Sequence, residues 1–265
     1  MQDLYGREIS YLRISVTDRC NLRCRYCMPE EGVPLIPHEQ ILRYEQIAEI
    51  VREAAKLGFS KVRLTGGEPL VRKGIVDLVK MLSAIDGVET LAMTTNGTLL
   101  AGYAESLAAA GLQRVNVSLD TLDEERYAFV TRGGELRDVL GGIEAARNAG
   151  LVIKLNMVVQ PDTSTAEIAA LRAFAEANGA TLQTIAQYSL GETKTDGYGC
   201  DRPPDCASCN RLRLLANGVL RSCLHSDIDT PVDFSDISGS IRRAIAAKPF
   251  HGSVSSTVSL REIGG

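Results

Sequence analysis

The sequence predicts an α/β fold, a partial (β/α)6 barrel of the TIM type with a C-terminal cysteine-rich extension. Three observations lead there. Short β-branched runs alternate with amphipathic helical stretches over roughly the first 190 residues. Polar motifs recur just after successive β-branched runs. Beyond that point the alternation stops, and Gly, Pro, Asp and Cys take over. The expected division is residues 1–190 for the barrel and 191–265 for the extension.

The first run, "YLRISVT", reads as a strand. "LRYEQIAEIVREAAKLG" sets Ile47, Ile50, Val51, Ala54 and Leu57 on one helical stripe and stops at Gly58. "KVRLT" is the second strand and "GIVDLVKMLSAIDG" the next helix. "ETLAMTT", a helix ending at Gly111, and "RVNVSLD" follow. "LRDVLGGIEAARNAG" and "TAEIAALRAFAEANG" are helices around the strand "LVIKLNMVV", and "LQTIAQYSL" is the sixth strand. Right-handed βα repeats make a parallel sheet. Six units cannot close an eight-fold barrel, which leaves an open barrel or a flat doubly wound sheet. Both place a ligand at the C-terminal ends of the strands. "NRLRLLANGVLRSCL" reads as a hairpin turning on Asn217 and Gly218. A two-residue turn there sets Cys223 opposite Leu212. One short helical pattern remains, around "SGSIRRAIAA".

No apolar h-region opens the chain and no apolar run approaches a membrane span, so a cytoplasmic protein without a membrane partner is expected. In a reducing compartment, its seven cysteines read as metal ligands or reactive thiols. A net charge of -4 without a long run of one sign argues against a nucleic-acid polymer as partner. A small anion needs only a few local cations.

"TDRCNLRCRYC" follows strand one and holds Cys20, Cys24 and Cys27 in C-x3-C-x2-C spacing. A structural zinc site wants four ligands, so three close thiols suggest a metal centre left incomplete. A zinc knuckle completed by Asp18 or a distant residue is the alternative. "TGGEPL" follows strand two and could be a plain turn. Thr94, Asn96 and Ser118 sit at the ends of strands three and four, where ordinary strand-end hydrogen bonding would also place them. Cys206, Cys209 and Cys223 form a C-x2-C-x13-C set that the hairpin could gather into a second site. Cys200, six residues earlier, could reach that site or stay idle. Arg211 and Arg213 are two apart on a strand and face the same way, as a purine edge or phosphate oxygens would require. Lys61 and Arg63 share a face that could point outward into solvent or, with Lys154, inward. Three inward cations would be costly without an anion to meet them.

The stretches "LRISVTDRCNLRCRYCMPEEG", "KVRLTGGEPL", "TTNGTLL", "RVNVSLDTLD", "CASCNRLRL" and the terminal "IGG" together resemble the radical SAM superfamily, and within it the GTP 3′,8-cyclases of molybdenum-cofactor biosynthesis. The resemblance implies a [4Fe-4S] cluster on Cys20, Cys24 and Cys27 with S-adenosyl-L-methionine (SAM) chelated to its free iron. Reductive cleavage then gives a 5′-deoxyadenosyl radical. It implies that Tyr26, Gly66, Gly67, Glu68, Thr94, Asn96 and Ser118 surround that cofactor. It implies a second [4Fe-4S] cluster on Cys206, Cys209 and Cys223, whose open iron binds guanine. The radical takes hydrogen from ribose C3′ of GTP, and the resulting carbon radical attacks C8. By the same resemblance Arg13, Arg211 and Arg213 contact the substrate, and Lys61, Arg63 and Lys154 the triphosphate. Gly264 and Gly265 reach toward the substrate. A reducing electron donor and a downstream enzyme making cyclic pyranopterin monophosphate complete the expected partners, with a homodimer left open.

The sequence also departs from that family. Its members carry several dozen more residues between strand six and the second cysteine group. Where their strand six has a triphosphate-binding arginine, this chain has Gln183. A directly paired cation there is worth about 1–3 kcal/mol of binding. If Cys200 ligates the open iron, the substrate cannot. The other readings are a radical SAM enzyme acting on another substrate, such as a ribosomal peptide, and a non-catalytic iron-sulfur or zinc protein.

Overall fold

The computed structural model describes residues 1–188, 190, 191, 200, 201 and 205–256. Six parallel strands succeed one another, β1 (Tyr11–Ser15), β2 (Lys61–Thr65), β3 (Thr90–Thr95), β4 (Arg114–Ser118), β5 (Val152–Val159) and β6 (Thr181–Ala186). The helices between them are α1 (Tyr44–Lys56), α2 (Ile75–Ser83), α3 (Ala104–Ala109), α4 (Glu124–Thr131), α5 (Leu136–Asn148) and α6 (Thr165–Ala177). The sheet has the order β6-β5-β4-β3-β2-β1 and is open, as expected of a partial barrel.

The strand period of two explains both faces. Leu12, Ile14, Val62, Leu64, Leu91, Met93, Val115, Val117, Ile153 and Leu155 alternate outward into the helical layer and are buried. Ile47, Ile50, Val51 and Ala54 of α1 supply the matching stripe. Most of the intervening residues are polar, with Val158 and Ile185 as apolar exceptions in the cavity lining, which reserves that side for something other than a hydrophobic core.

The hairpin does not stand apart from the barrel. β7 (Arg211–Leu214) pairs in parallel with β1, placing Arg213 beside Arg13 and Arg211 beside Tyr11. β8 (Val219–Arg221) and β9 (Asp229–Pro231) continue the sheet antiparallel. The turn differs by one residue from the expected one. Gly218 N–H donates to the Leu215 carbonyl, and Leu215 N–H to the Val219 carbonyl, so three residues form the loop. Gly218 takes φ +83°, the left-handed residue that a three-residue hairpin loop needs. The pairs Arg213–Arg221 and Leu214–Leu220 follow. Carried onward, that register sets Cys223 across from Arg211, not Leu212. α7 (Ile237–Ala246) then packs Ile237, Ile241, Ala244 and Ile245 against the sheet and α1. No helix among the described residues is long and apolar enough to cross a membrane.

α4 has no counterpart in the sequence reading, because its apolar residues make no clean stripe. It is capped by Asp123, which accepts the Arg126 N–H at 2.7 Å. Its last carbonyls matter for the site below.

Candidate active site

The cysteine loop after β1 is held by backbone bonds on two sides. Arg23 N–H donates to the Thr131 carbonyl and Arg25 N–H to the Val130 carbonyl, both at the end of α4. Arg132, in the left-handed region at φ 55°, closes that helix and donates to the carbonyls of Arg23 and Met28. On the other side, Gly67 N–H donates to Thr17 O and Glu68 N–H to Arg19 O. A Cβ on Gly66 would meet Thr17 O at 2.4 Å, and one on Gly67 would meet Arg19 O at 2.3 Å. The two glycines of "TGGEPL" are therefore required by a backbone-to-backbone approach that steadies the cysteine loop.

Glu68 turns out to be a pin. Its carboxylate is buried and accepts from Leu70 N–H (3.0 Å), the Thr95 hydroxyl (2.8 Å) and Asn96 N–H (2.6 Å). It does not line the cavity. Asn96, fixed this way, reaches Asn21 at 2.9 Å and the Cys20 sulfur at 3.8 Å. Burial pushes the Glu68 carboxyl up to about 7, against the pull of those three donors. The folded protein thus holds this proton more tightly than the unfolded chain. The contribution to stability is full below about pH 4.5 and is lost as pH rises through about 7, roughly 3 kcal/mol in all. Between about pH 5 and about pH 8, the melting temperature of the metal-free protein should fall more steeply than that of Glu68→Gln. Parallel profiles would overturn this account.

The inward faces of the strands enclose one cavity of about 260 Å³. Cys20, Cys24, Tyr26, Cys27, Gly66, Gly67, Thr94, Asn96 and Ser118 border it at the C-terminal rim. Arg13, Arg63, Lys154, Arg211, Arg213 and Gln183 border it from β1, β2, β5, β7 and β6. Lys61 does not. It lies two residues before Arg63 on the same face, is exposed, and stays outside the lining. Gly264 and Gly265 lie outside the described residues.

Some site residues escaped the sequence. Asn116 and Asn156 also line the cavity, 3.4 Å apart across β4 and β5. Strand alternation could have found both, since Asn116 is two before Ser118 and Asn156 two after Lys154. Asp120 accepts the Val158 N–H at 2.8 Å and faces the buried Tyr26 hydroxyl. Nothing local in "SLD" announces that role.

The electrostatics are lopsided. Among the described residues, the cavity lining contains five cations and no carboxylate. Burial lowers the Arg13 guanidinium to about 9 against an opposing pull from Tyr11, while Arg213, Arg211 and Arg63 push it the same way. A guanidinium keeps its proton at neutral pH, so Arg13 is held charged against the cost of burial and of its like-charged neighbours. Arg213 is buried, and its Nε has no hydrogen-bond partner among the described residues.

The three thiols fit an iron-sulfur cluster. Burial first, then Asp120 and Cys20, push Cys24 up to about 12, and burial with Cys24 and Asp120 raises Cys27. Such sulfurs ionise readily only with a metal to supply positive charge. Among the described residues, no three His, Cys, Asp or Glu side chains are close enough to share a single ion. Three cysteine sulfurs bordering one cavity are the ligand type of an iron-sulfur cluster with one corner left to another ligand.

Against known families, residues 14–175 match the Radical SAM superfamily. The chain belongs to the radical SAM superfamily. Its curated relatives sharpen that placement. The GTP 3′,8-cyclase of Moorella thermoacetica is 42% identical over 288 aligned positions, covering 91% of this chain and 88% of the relative. That of Pelotomaculum thermopropionicum is 41% identical and covers 94% of each. Within the superfamily the chain is thus a member of the GTP 3′,8-cyclase family. The alignment to the Moorella relative is longer than the 265 residues of this chain, so the relative carries segments absent here. Among solved structures, Streptococcus suis SuiB bound to S-adenosylmethionine superposes with a TM-score of 0.64 at 16% identity, covering 89% of this chain and 68% of SuiB. In the SuiB complex with its precursor peptide, the match spans only 44% of the SuiB chain. At that identity SuiB speaks for the fold alone, and it bears out the open barrel.

In this radical SAM protein the second cysteine group lies outside the lining of that cavity, with Cys209 next to Arg211 and Arg213, which border it. Cys206 opens a turn whose carbonyl accepts from Arg7 at 2.9 Å. Arg7 is itself paired with Asp3 at 2.6 Å and bonded to the carbonyls of Pro249 and Phe250. Against the cost of burial, Lys248, the Arg211 N–H, Arg213 and Arg211 bring Cys209 down to about 7. Cys223 follows β8 and lies within electrostatic reach of the same Lys248. Cys200 is half-buried, and Asp201 beside it accepts from Thr184 on β6 at 2.8 Å.

Proposed function

We propose that this radical SAM enzyme is a GTP 3′,8-cyclase with a trimmed substrate wall, working with two [4Fe-4S] clusters. The observation that carries this reading is the wall of five cations facing three rim thiols across one cavity, without a carboxylate among its described lining. A polyphosphate answers that charge directly. Cys20, Cys24 and Cys27 would hold the first cluster, and the group supplies, with SAM bound, a carbon radical able to take hydrogen from an unactivated C–H. Tyr26, Gly66, Gly67, Thr94, Asn96 and Ser118 border the place where SAM would lie. Cys206, Cys209 and Cys223 would hold the second.

The residues of the chain then have distinct tasks. Arg63 and Lys154 neutralise phosphate charge deep in the barrel. Arg13, Arg211 and Arg213 orient the nucleoside, since β1 and β7 present them side by side. Tyr26 and the asparagines Asn116 and Asn156 shape the space between. Gln183 offers an amide where the relatives' family carries a cation, so triphosphate binding rests on fewer charges here.

A reductant must feed the first cluster, and the product would pass to a synthase of cyclic pyranopterin monophosphate. The test is anaerobic. The reconstituted, reduced chain should hold about eight irons. With SAM and GTP it should release 5′-deoxyadenosine together with a cyclised product isobaric with GTP, read by mass spectrometry. About four irons would remove the second cluster. SAM cleavage without any change in GTP would remove the substrate.

A further inference from the structure

Lys248 follows α7 and is 3% exposed, an unusual place for an ammonium. Its Nζ donates to the Arg211 carbonyl at 2.9 Å and to the Ser222 carbonyl at 2.5 Å, and Cys209 and Cys223 lie within its electrostatic reach. An ammonium has three protons, and the two carbonyls account for two of them, leaving one for the cysteine side. Among the described residues, its hydrogen-bond partners include no carboxylate. A buried cation needs a counter-charge nearby, and the neighbouring groups able to carry one are the sulfurs of Cys209 and Cys223.

The surrounding segment is shaped to the same end. A Cβ on Gly252 would lie 3.1 Å from the Cys223 sulfur and 2.8 Å from the His225 Cβ, so the chain after Lys248 runs tightly over the cysteine. Arg7 ties that segment to the Cys206 turn through Pro249 and Phe250. The two carbonyls that Lys248 holds belong to Arg211, which borders the cavity, and to Ser222, which precedes Cys223.

We infer that Lys248 is a positioning residue of the second cysteine site: it donates an N–H···S bond to the Cys209 ligand of the auxiliary cluster and locks that ligand to the Arg211 end of β7. This rests on the two-cluster reading above. Hydrogen bonds to cluster sulfurs and nearby positive charge favour the reduced cluster. Lys248 therefore holds the auxiliary potential higher than the cysteines alone would.

The test uses the full chain with Cys20, Cys24 and Cys27 all changed to Ala, which isolates the second site. Anaerobic reconstitution should give about four irons. An EPR-monitored redox titration should show a more negative potential in Lys248→Met, with recovery in Lys248→Arg. Loss of iron in Lys248→Met that Lys248→Arg restores would also support the charge role. An unchanged potential with only a lower melting temperature would make Lys248 a packing residue and overturn the inference, as would equal iron loss in both variants. If the isolating background binds no iron while Lys248 is intact, the two-cluster reading itself falls, and the inference with it.

Discussion

Cys24→Ala leaves the reconstituted, reduced protein unable to cleave SAM, with 5′-deoxyadenosine at the background of a protein-free control. The loop supplies three thiols, and a cubane with one open corner needs all of them. The fold should survive. What Cys24 contributes to the turn is its backbone carbonyl, which accepts the N–H groups of Cys27 and Met28. Alanine keeps that carbonyl. The lost side chain is a neutral thiol in the metal-free protein, because burial, Asp120 and Cys20 push it up to about 12. Its removal should cost the metal-free protein only about 1 kcal/mol. Iron should drop from about eight to about four per chain. Undiminished 5′-deoxyadenosine would show that the first cluster lies elsewhere.

Arg213→Ala separates the two halves of the reaction. SAM cleavage continues at the intact first cluster, but the cyclised nucleotide is lost. Arg213 is buried beside Arg13, with its Nε unmatched among the described residues. On the proposed reading, that guanidinium forms its pair when the anionic substrate arrives. Removing one partner of a buried charge pair costs about 3–5 kcal/mol, or roughly 10²–10⁴-fold in kcat/KM for GTP. The ligand-free enzyme should respond in the opposite sense. Burial and the neighbouring arginines already depress Arg13 to about 9, and taking away one like charge relieves that strain. Arg213→Met, which keeps more of the volume, should melt no lower than the parent. Full product formation by Arg213→Ala would take this residue out of the substrate site.

How much of this was legible beforehand differs by residue. The strands and most helices could be read because their apolar periods of two and 3.6 are local properties. α4 could not, since it lacks a clean stripe and is fixed by the Asp123 cap and by its bonds to the cysteine loop. The hairpin position was legible from Asn217 and Gly218, but its register was not. One residue in the loop decides it, and both turns use the same residues.

The sequence by itself determined the open βα barrel, the rim cysteines and the cations of β1, β2, β5 and β7, because alternation and motif spacing follow from chain geometry alone. Tertiary structure decided the rest. It made Glu68 a buried pin, left Lys61 exposed while Arg63 entered the cavity, and brought Lys248 within electrostatic reach of Cys209 from 39 positions away. Each depends on which distant backbone a side chain meets, and burial sets the energy of those meetings.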